Sequence, residues 1–204
     1  SAAAIVPIAR ELCDLIQKDI LMHCDDILGW ASNEDKSITV FNGVCSRLKN
    51  FGLTLGWFKV WILLDRAEYV SHVIEGGTVR PSPKLCKTID ALPYPTNVKQ
   101  VQCFIGMVQY FALYIPMLAE YKAKLTQLTL KGADFNALWS EDHKLACDKI
   151  KQLLKCSILY IIDWEADLYL VTDASGHGLG GCLLMKKNDR YYPLRFLSRV
   201  LTKL

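Results

Sequence analysis

The residues best suited to chemistry lie close together in Leu21-Met22-His23-Cys24-Asp25-Asp26-Ile27-Leu28. Two adjacent carboxylates, Asp25 and Asp26, stand between two short apolar runs, the pattern of a β-hairpin with acids at its tip. Ile20, Leu21 and Met22 are expected in the first strand, and Ile27, Leu28 and Trp30 in the second. Neighbouring like charges repel unless a cation or a solvated turn offsets them. A hard divalent ion such as Mg²⁺ or Mn²⁺, held by one or two carboxylates plus substrate phosphates, is one use for such a pair. A solvated Asp-Asp turn is the other. A further acid, Asp173, falls in Thr172-Asp173-Ala174-Ser175-Gly176, at the end of an expected strand and before small residues. His143 and Cys147 share a helix face at i, i+4. With no second pair of ligands in view they read as structural.

The elements that must position these groups follow from periodicity. Residues 3 to 18 suit a helix, with Ile5, Ile8, Leu12, Leu15 and Ile16 on one side and Pro7 in its first turns. After the acidic hairpin, Asn33 should cap a helix running to about Asn50, striped by Ile38, Phe41, Val44, Cys45 and Leu48 and ended by Gly52. Strands are expected at Leu53-Thr54-Leu55, Val60 to Leu64 and Glu68 to Ile74. Glu75-Gly76-Gly77 reads as a turn and Pro81-Ser82-Pro83 as a hinge-like break.

Residues 83 to 156 read as mostly helical. Between Asn97 and Ala112, Val101, Phe104, Ile105, Val108 and Ala112 share one face, while Lys99, Gln102, Gly106 and Gln109 line the other. That second stripe offers donors, a cation and a glycine allowing close approach, which suits a sugar-phosphate backbone and equally an ordinary solvated face. A further helix after Pro116, a loop near Gly132 and a helix from Ser140 to Cys156 lead into strands at Leu168 to Val171, Leu179 to Met185 and Tyr191 to Leu197.

With 204 residues, 51% of them hydrophobic, the chain can bury one sizeable core or two small ones. Its net charge of +3 tolerates a nucleic-acid partner without demanding one. No apolar run reaches the length of a membrane span, so no membrane partner is expected. Eight cysteines without a CxxC, mostly in apolar stretches, read as buried reduced thiols in an intracellular, reducing compartment such as cytoplasm or nucleus.

The order of these motifs resembles the polymerase of gypsy-type LTR retrotransposons and, more distantly, of gammaretroviruses. Ser1-Ala2-Ala3-Ala4 resembles the Ser-Pro-Ala that opens the palm helix, and His23-Cys24-Asp25-Asp26 the hairpin that carries Asp-Asp. Gly52-Leu53-Thr54-Leu55 with Lys59 resembles the following Gly-Leu-x-Leu…Lys element. Tyr69-Val70-Ser71-His72-Val73-Ile74 resembles the Leu-Gly-His hairpin that grips the primer. Arg80-Pro81-Ser82-Pro83-Lys84 and Pro95-Thr96-Asn97-Val98-Lys99 resemble the approach to the thumb. Phe104-Ile105-Gly106-Met107-Val108-Gln109-Tyr110-Phe111 resembles its Phe-Leu-Gly…Tyr-Tyr helix, and Tyr114-Ile115-Pro116 its Phe-Ile-Pro. Leu125-Thr126-Gln127-Leu128, Phe135, Trp139 and Ala146 keep the spacing of the connection. Thr172-Asp173-Ala174-Ser175 and Phe196-Leu197-Ser198-Arg199 resemble the start of ribonuclease H.

The resemblance implies an α+β fold: a partial palm over 1–80, a helical thumb and connection over 81–160, and the first part of a ribonuclease H-like sheet over 161–204. It implies catalytic and metal-binding roles for Asp25, Asp26 and Asp173, with Mg²⁺ or Mn²⁺ as cofactor. It implies an RNA/DNA template–primer duplex held by Lys59, Tyr69, Val70, Ser71, His72, Lys99, Gln102, Gly106 and Gln109. In that family a further palm aspartate and the fingers come from upstream, and more ribonuclease H carboxylates from downstream. This polypeptide alone is therefore expected to hold no complete active site.

Four departures bear on activity: His23 replaces an aromatic residue, Ser71 replaces the primer-grip glycine, Ile5-Val6 replaces Phe-Gln, and Gly56-Trp57-Phe58 is unusually aromatic. Two classes of function stay open. One is a piece of an RNA-directed DNA polymerase with ribonuclease H. The other is a retroelement-derived, non-catalytic scaffold that binds other protein chains, with Trp57 and Trp61 either its anchors or part of the palm core.

Overall fold

The computed structural model describes residues 8–201 except 11, 17 and 177. The expectations placed on Ser1-Ala2-Ala3-Ala4, Ile5, Val6 and Pro7 lie outside the described residues. The fold is α+β, and the chain divides into two compact units, Ser1–Val70 and Ser71–Leu204.

In the first unit, residues 8–10 are helical and residues 12–15 form turns, so helical winding gives out before residue 18, where the periodicity would end it. The amides of Asp19 and Ile20 both donate to the Leu15 carbonyl (2.9 and 3.0 Å), which ends helical winding and releases the chain into a strand. Strands β1 (Ile20–His23) and β2 (Asp26–Gly29) pair antiparallel, with His23 opposite Asp26. Helix α1 (Glu34–Asn50) starts at Asn33, whose side chain accepts from the Lys36 amide, and ends at Phe51 with Gly52 in the left-handed region (φ 70°). Its buried stripe is Val40, Val44 and Leu48, packed with Leu12 and Ile20. Ile38, expected on that stripe, is 49% exposed, because the i, i+4, i+8 row through Val44 runs through Val40 instead. Lys36 reaches back to the buried carboxylate of Asp19 at 3.0 Å, tying the helix to the start of β1.

The strands expected at 53–55 and 60–64 do not form. Amides of Lys59 and Val60 bond to the carbonyls of Gly56 and Trp57 (2.7 and 3.2 Å), closing one 3₁₀ turn at Trp57–Lys59. Leu63 takes a left-handed conformation (φ 56°), which interrupts any extended run. Strand β3 (Arg66–Tyr69) follows, and Val70 and Ser71, both left-handed (φ 46° and 62°), make the turn leading into the second unit.

There β4 (His72–Glu75) and β5 (Thr78–Pro81) form a hairpin whose two-residue turn, Gly76-Gly77, needs positive φ at both positions (55° and 74°). The short β6 (Leu159–Tyr160) adds to β5. Pro81-Ser82-Pro83 is a strand-to-helix junction rather than a hinge. Ser82, 2% exposed, caps α2 (Pro83–Asp90) by accepting from the Leu85 amide, and Pro83 occupies the first helical turn.

Helices α3 (Val98–Tyr110), α4 (Leu118–Gln127), α5 (Phe135–Leu138) and α6 (Glu141–Cys156) enclose the larger core, which includes Val101, Phe104, Val108, Tyr114, Leu125 and Ile150. Strands β7 (Asp167–Ala174), β8 (Gly178–Lys187) and β9 (Arg190–Val200) make an antiparallel sheet in that order, longer than the sequence pattern suggests. Of the eight cysteines, all unpaired, only Cys147 is fully buried. Cys13, Cys24, Cys103 and Cys156 are exposed, because a thiol in a short apolar run still falls on the outer face of its helix or turn.

Candidate nucleic-acid interface

The acidic hairpin forms as its sequence predicts, except that only Asp25 of the two acids lies at the tip and Trp30 falls just past the second strand. Cys24 takes the left-handed region (φ 53°) so that Cys24 and Asp25 form the two-residue tip, while Asp26 begins β2. Both carboxylates are exposed. The Tyr69 hydroxyl donates to the Asp26 backbone carbonyl at 3.4 Å, which brings two of the sequence-predicted positions together. Lys59 is exposed at the end of the 3₁₀ turn in the same unit. Among the described residues no group of three or more His, Cys, Asp or Glu side chains is arranged to hold a metal ion. The two exposed carboxylates of Asp25 and Asp26 are thus the only side-chain oxygen donors the hairpin tip itself offers among the described residues.

In the second unit the stripe on α3 is present as a surface. Asn97 caps the helix by accepting from the Gln100 amide at 3.0 Å, and the Gln100 side chain accepts from the Thr96 amide at 2.8 Å. Val101, Phe104 and Val108 are buried, so Lys99, Gln102, Gly106 and Gln109 all face outward and exposed. A Cβ on Gly106 would meet nothing within 4 Å, leaving room for a partner's backbone. Lys122 of α4 donates to the Gln109 side chain, adding a second cation at the far end of the stripe. Sequence reasoning missed Lys122, since only the packing of α4 beside α3 brings it to that row.

Ser71 is exposed and its carbonyl accepts from the Ser82 amide at 2.9 Å. His72 is half-buried, with Nδ1 2.7 Å from the Tyr114 hydroxyl and its ring stacked on Tyr110. Burial lowers its pKa from the ordinary histidine value of 6.5.

Asp173 lies on exposed β7 opposite Gly180 and lines a cleft of about 190 Å³ with Glu120, Thr172, Ser175 and Ser198. Two residues of the neighbouring motifs are structural. The Ser175 amide donates to the Gly178 carbonyl (2.9 Å) to close the β7–β8 turn, and Ser198 Oγ accepts from the Ala119 amide (2.7 Å) at the start of α4. Gly178 is required there, because a Cβ would come within 2.9 Å of the Arg199 carbonyl oxygen. His143 is likewise a capping residue: its Nδ1 accepts from the Ser140 amide at 3.1 Å and its ring stacks on Trp139. Burial pushes the Cys147 thiol up to about 11. Neither group is arranged as a metal ligand.

Residues 139–204 match the family model of the RNase H-like domain found in reverse transcriptase. Over 92% of its length the chain is 28% identical to the Retrovirus-related Pol polyprotein from transposon 297 of Drosophila melanogaster, and it spans 17% of that protein. It is 26% identical over 95% of its length to the polyprotein from transposon opus of the same organism, spanning 21% of it. A foamy viral protease-reverse transcriptase solved in complex with double-stranded DNA shares the fold, with TM-score 0.81 at 18% identity, over 98% of this chain and 35% of that one. A second foamy viral structure, in complex with an RNA/DNA hybrid, gives TM-score 0.76 at 17% identity over 97% of this chain and 26% of that one. The C-terminal segment thus matches the RNase H-like domain found in reverse transcriptase, and the foamy viral structures share the chain's fold. The chain as a whole is a homologue of part of the retrotransposon Pol polyproteins.

Proposed function

We propose that this chain is the duplex-holding portion of a retroelement polymerase, with residues 1–80 as palm, 81–160 as thumb and connection, and 161–204 as ribonuclease H-like sheet. The observation that carries this is the exposed row Lys99, Gln102, Gly106, Gln109 on α3, extended by Lys122. One cation, two amides and an uncovered glycine along one helix face, with a second cation beside them on α4, suit successive phosphates and sugars of a duplex. The foamy viral proteins of the same fold were solved with duplexes of both kinds, which supports nucleic acid as the partner.

Asp25 and Asp26 would hold Mg²⁺ or Mn²⁺, which when bound supplies charge neutralisation for phosphoryl transfer. Asp173 is the corresponding carboxylate for the ribonuclease H-like sheet. Because two adjacent acids in one unit and a single strand acid in the other complete no site of their own, the chain alone is inactive. Incubation with Mg²⁺, a primed template and nucleotides should give neither primer extension nor RNA cleavage. Extension that is abolished by Asp25→Asn would overturn this.

The binding half is tested by fluorescence anisotropy with a labelled RNA/DNA hybrid. Affinity should fall steeply between 50 and 200 mM salt, as phosphate contacts require. The second reading, a non-catalytic scaffold for other protein chains, draws on Trp57, Phe58 and Trp61, which are 70%, 83% and 74% exposed. Absence of hybrid binding at low salt would favour it.

A further inference from the structure

Residues 60–64 have the side chains of a strand and no strand to pair with. Residues 61–64 belong to no helix, strand or hydrogen-bonded turn among the described residues. Leu63 stands in the left-handed region (φ 56°), an uncommon place for a bulky side chain. Phe58, Trp61, Ile62, Leu63 and Leu64 are each more than half exposed. So is Trp57, whose ring meets that of Phe41 on α1 edge-on, with centroids 6.5 Å apart. Taking about 150 to 250 Å² for an aromatic side chain, these six leave roughly 800 Å² of apolar surface in water. The largest patch on an ordinary monomer is about 300 to 600 Å². One partner's share of a standard protein interface is about 800 Å².

The charges around this patch decide what fits it. Lys59 and Asp65 are exposed, lie equally far before and after Ile62, and make no ion pair among the described residues. Phe58 and Arg66 flank them, again at equal distances from Ile62. Laid antiparallel on its own copy about a two-fold axis at Ile62, the segment sets Lys59 opposite Asp65 at both ends. Phe58 then meets Arg66, a cation over an aromatic ring, while Trp61 meets Leu63 and Val60 meets Leu64. Opposed positions in this register are both odd or both even, so their side chains share one face of the pair. Moving the axis to Trp61 or Leu63 would leave Lys59 and Asp65 opposite apolar side chains. A nucleic acid would meet Asp65 beside Lys59 and gain no net attraction, whereas a second copy satisfies both. We propose that this face is a homodimer interface, in which residues 58–66 run antiparallel to those of a second copy and gain the partner their strand-like sequence lacks. Pairing draws Leu63 out of the left-handed region. This interface goes beyond the duplex-holding function and does not rest on it.

The test is analytical ultracentrifugation of the full chain from about 1 to 100 μM, the range in which a dimer of micromolar affinity forms and dissociates. Wild type should shift from the 23.1 kDa of one chain toward twice that mass. Lys59→Asp and Asp65→Lys each set like charges against one another at both contacts, so each should dimerise at least about tenfold more weakly. An equimolar mixture of the two variants has opposite charges at both contacts and should form a heterodimer within a few-fold of wild-type affinity. Non-specific stickiness gives no such rescue. Trp61→Ala, which removes apolar area and no charge, should also weaken the dimer about tenfold, and it decides alone if the charge variants do not fold. Wild type that stays monomeric throughout, charge variants that dimerise like wild type, or a mixture as weak as its components would each overturn the inference. So would a monomer that binds a labelled RNA/DNA hybrid or anionic vesicles and loses that binding in Trp61→Ala.

Discussion

His72 shows how far a single residue can be understood from its surroundings. Its imidazole sits against Tyr110, Phe111 and Tyr114, and burial holds its pKa below the usual 6.5. In the unfolded chain the ring protonates at its ordinary pKa, so acid favours unfolding. The stabilisation is therefore whole above about 6.5 and is lost as pH falls through the lower folded-state value. Urea midpoints at pH 7.5 and pH 5 should differ more for wild type than for His72→Phe; equal differences would show that the ring is not the group responsible. Other residues differed in how readable they were. Asp25 and Asp26 were legible because apolar strands flank them and the turn allows only one register. Asp19 was not, since Lys18-Asp19 reads as ordinary surface, and only the return of α1 buries the carboxylate against Lys36. Lys122 was hidden for a similar reason: it lies 13 positions after Gln109, and helix packing closes the gap.

Among the elements, α3 matters most, because its N-terminus sets the direction of the polar row. Asn97 satisfies the Gln100 amide, and Gln100 reciprocates at Thr96, so the first turn is stitched in both directions. Asn97→Ala should cost about 1 kcal/mol of stability in urea unfolding. A change within a few tenths of that for wild type would mean the cap is not formed in solution. The asparagine cap at Asn33 was legible, because an amide side chain ahead of a 3.6-residue repeat has a local cause, whereas Asn97 was read only as the start of its segment. The segment from Leu53 to Leu64 misled for the opposite reason. Its apolar residues have strand-like propensity, but a strand needs a partner, and this stretch turns on itself at Trp57–Lys59 instead. Strand β5 was missed because Thr78-Val79-Arg80-Pro81 is short and ends in proline, and its pairing with β4 depends on the Gly76-Gly77 turn.

For the whole molecule, the collinear motifs carried more than any pattern of hydrophobicity. Asp-Asp, the α3 row and Thr-Asp-Ala-Ser are each short, yet the chain they mark is similar to Pol polyproteins over most of its length. The C-terminal sheet was legible as three strands, since alternation and its turn residues are local signals. That β7 is exposed along its whole length was not, because sequence alternation does not say what covers a sheet.

The decisive measurement compares wild type with the Lys99→Ala/Lys122→Ala double variant for binding to a labelled RNA/DNA hybrid across a salt series. If α3 and α4 present these cations to a duplex, the variant should bind more weakly, and its salt slope should be shallower by about 1 to 2. Identical affinity and slope in a folded variant would contradict a duplex-holding role for this face.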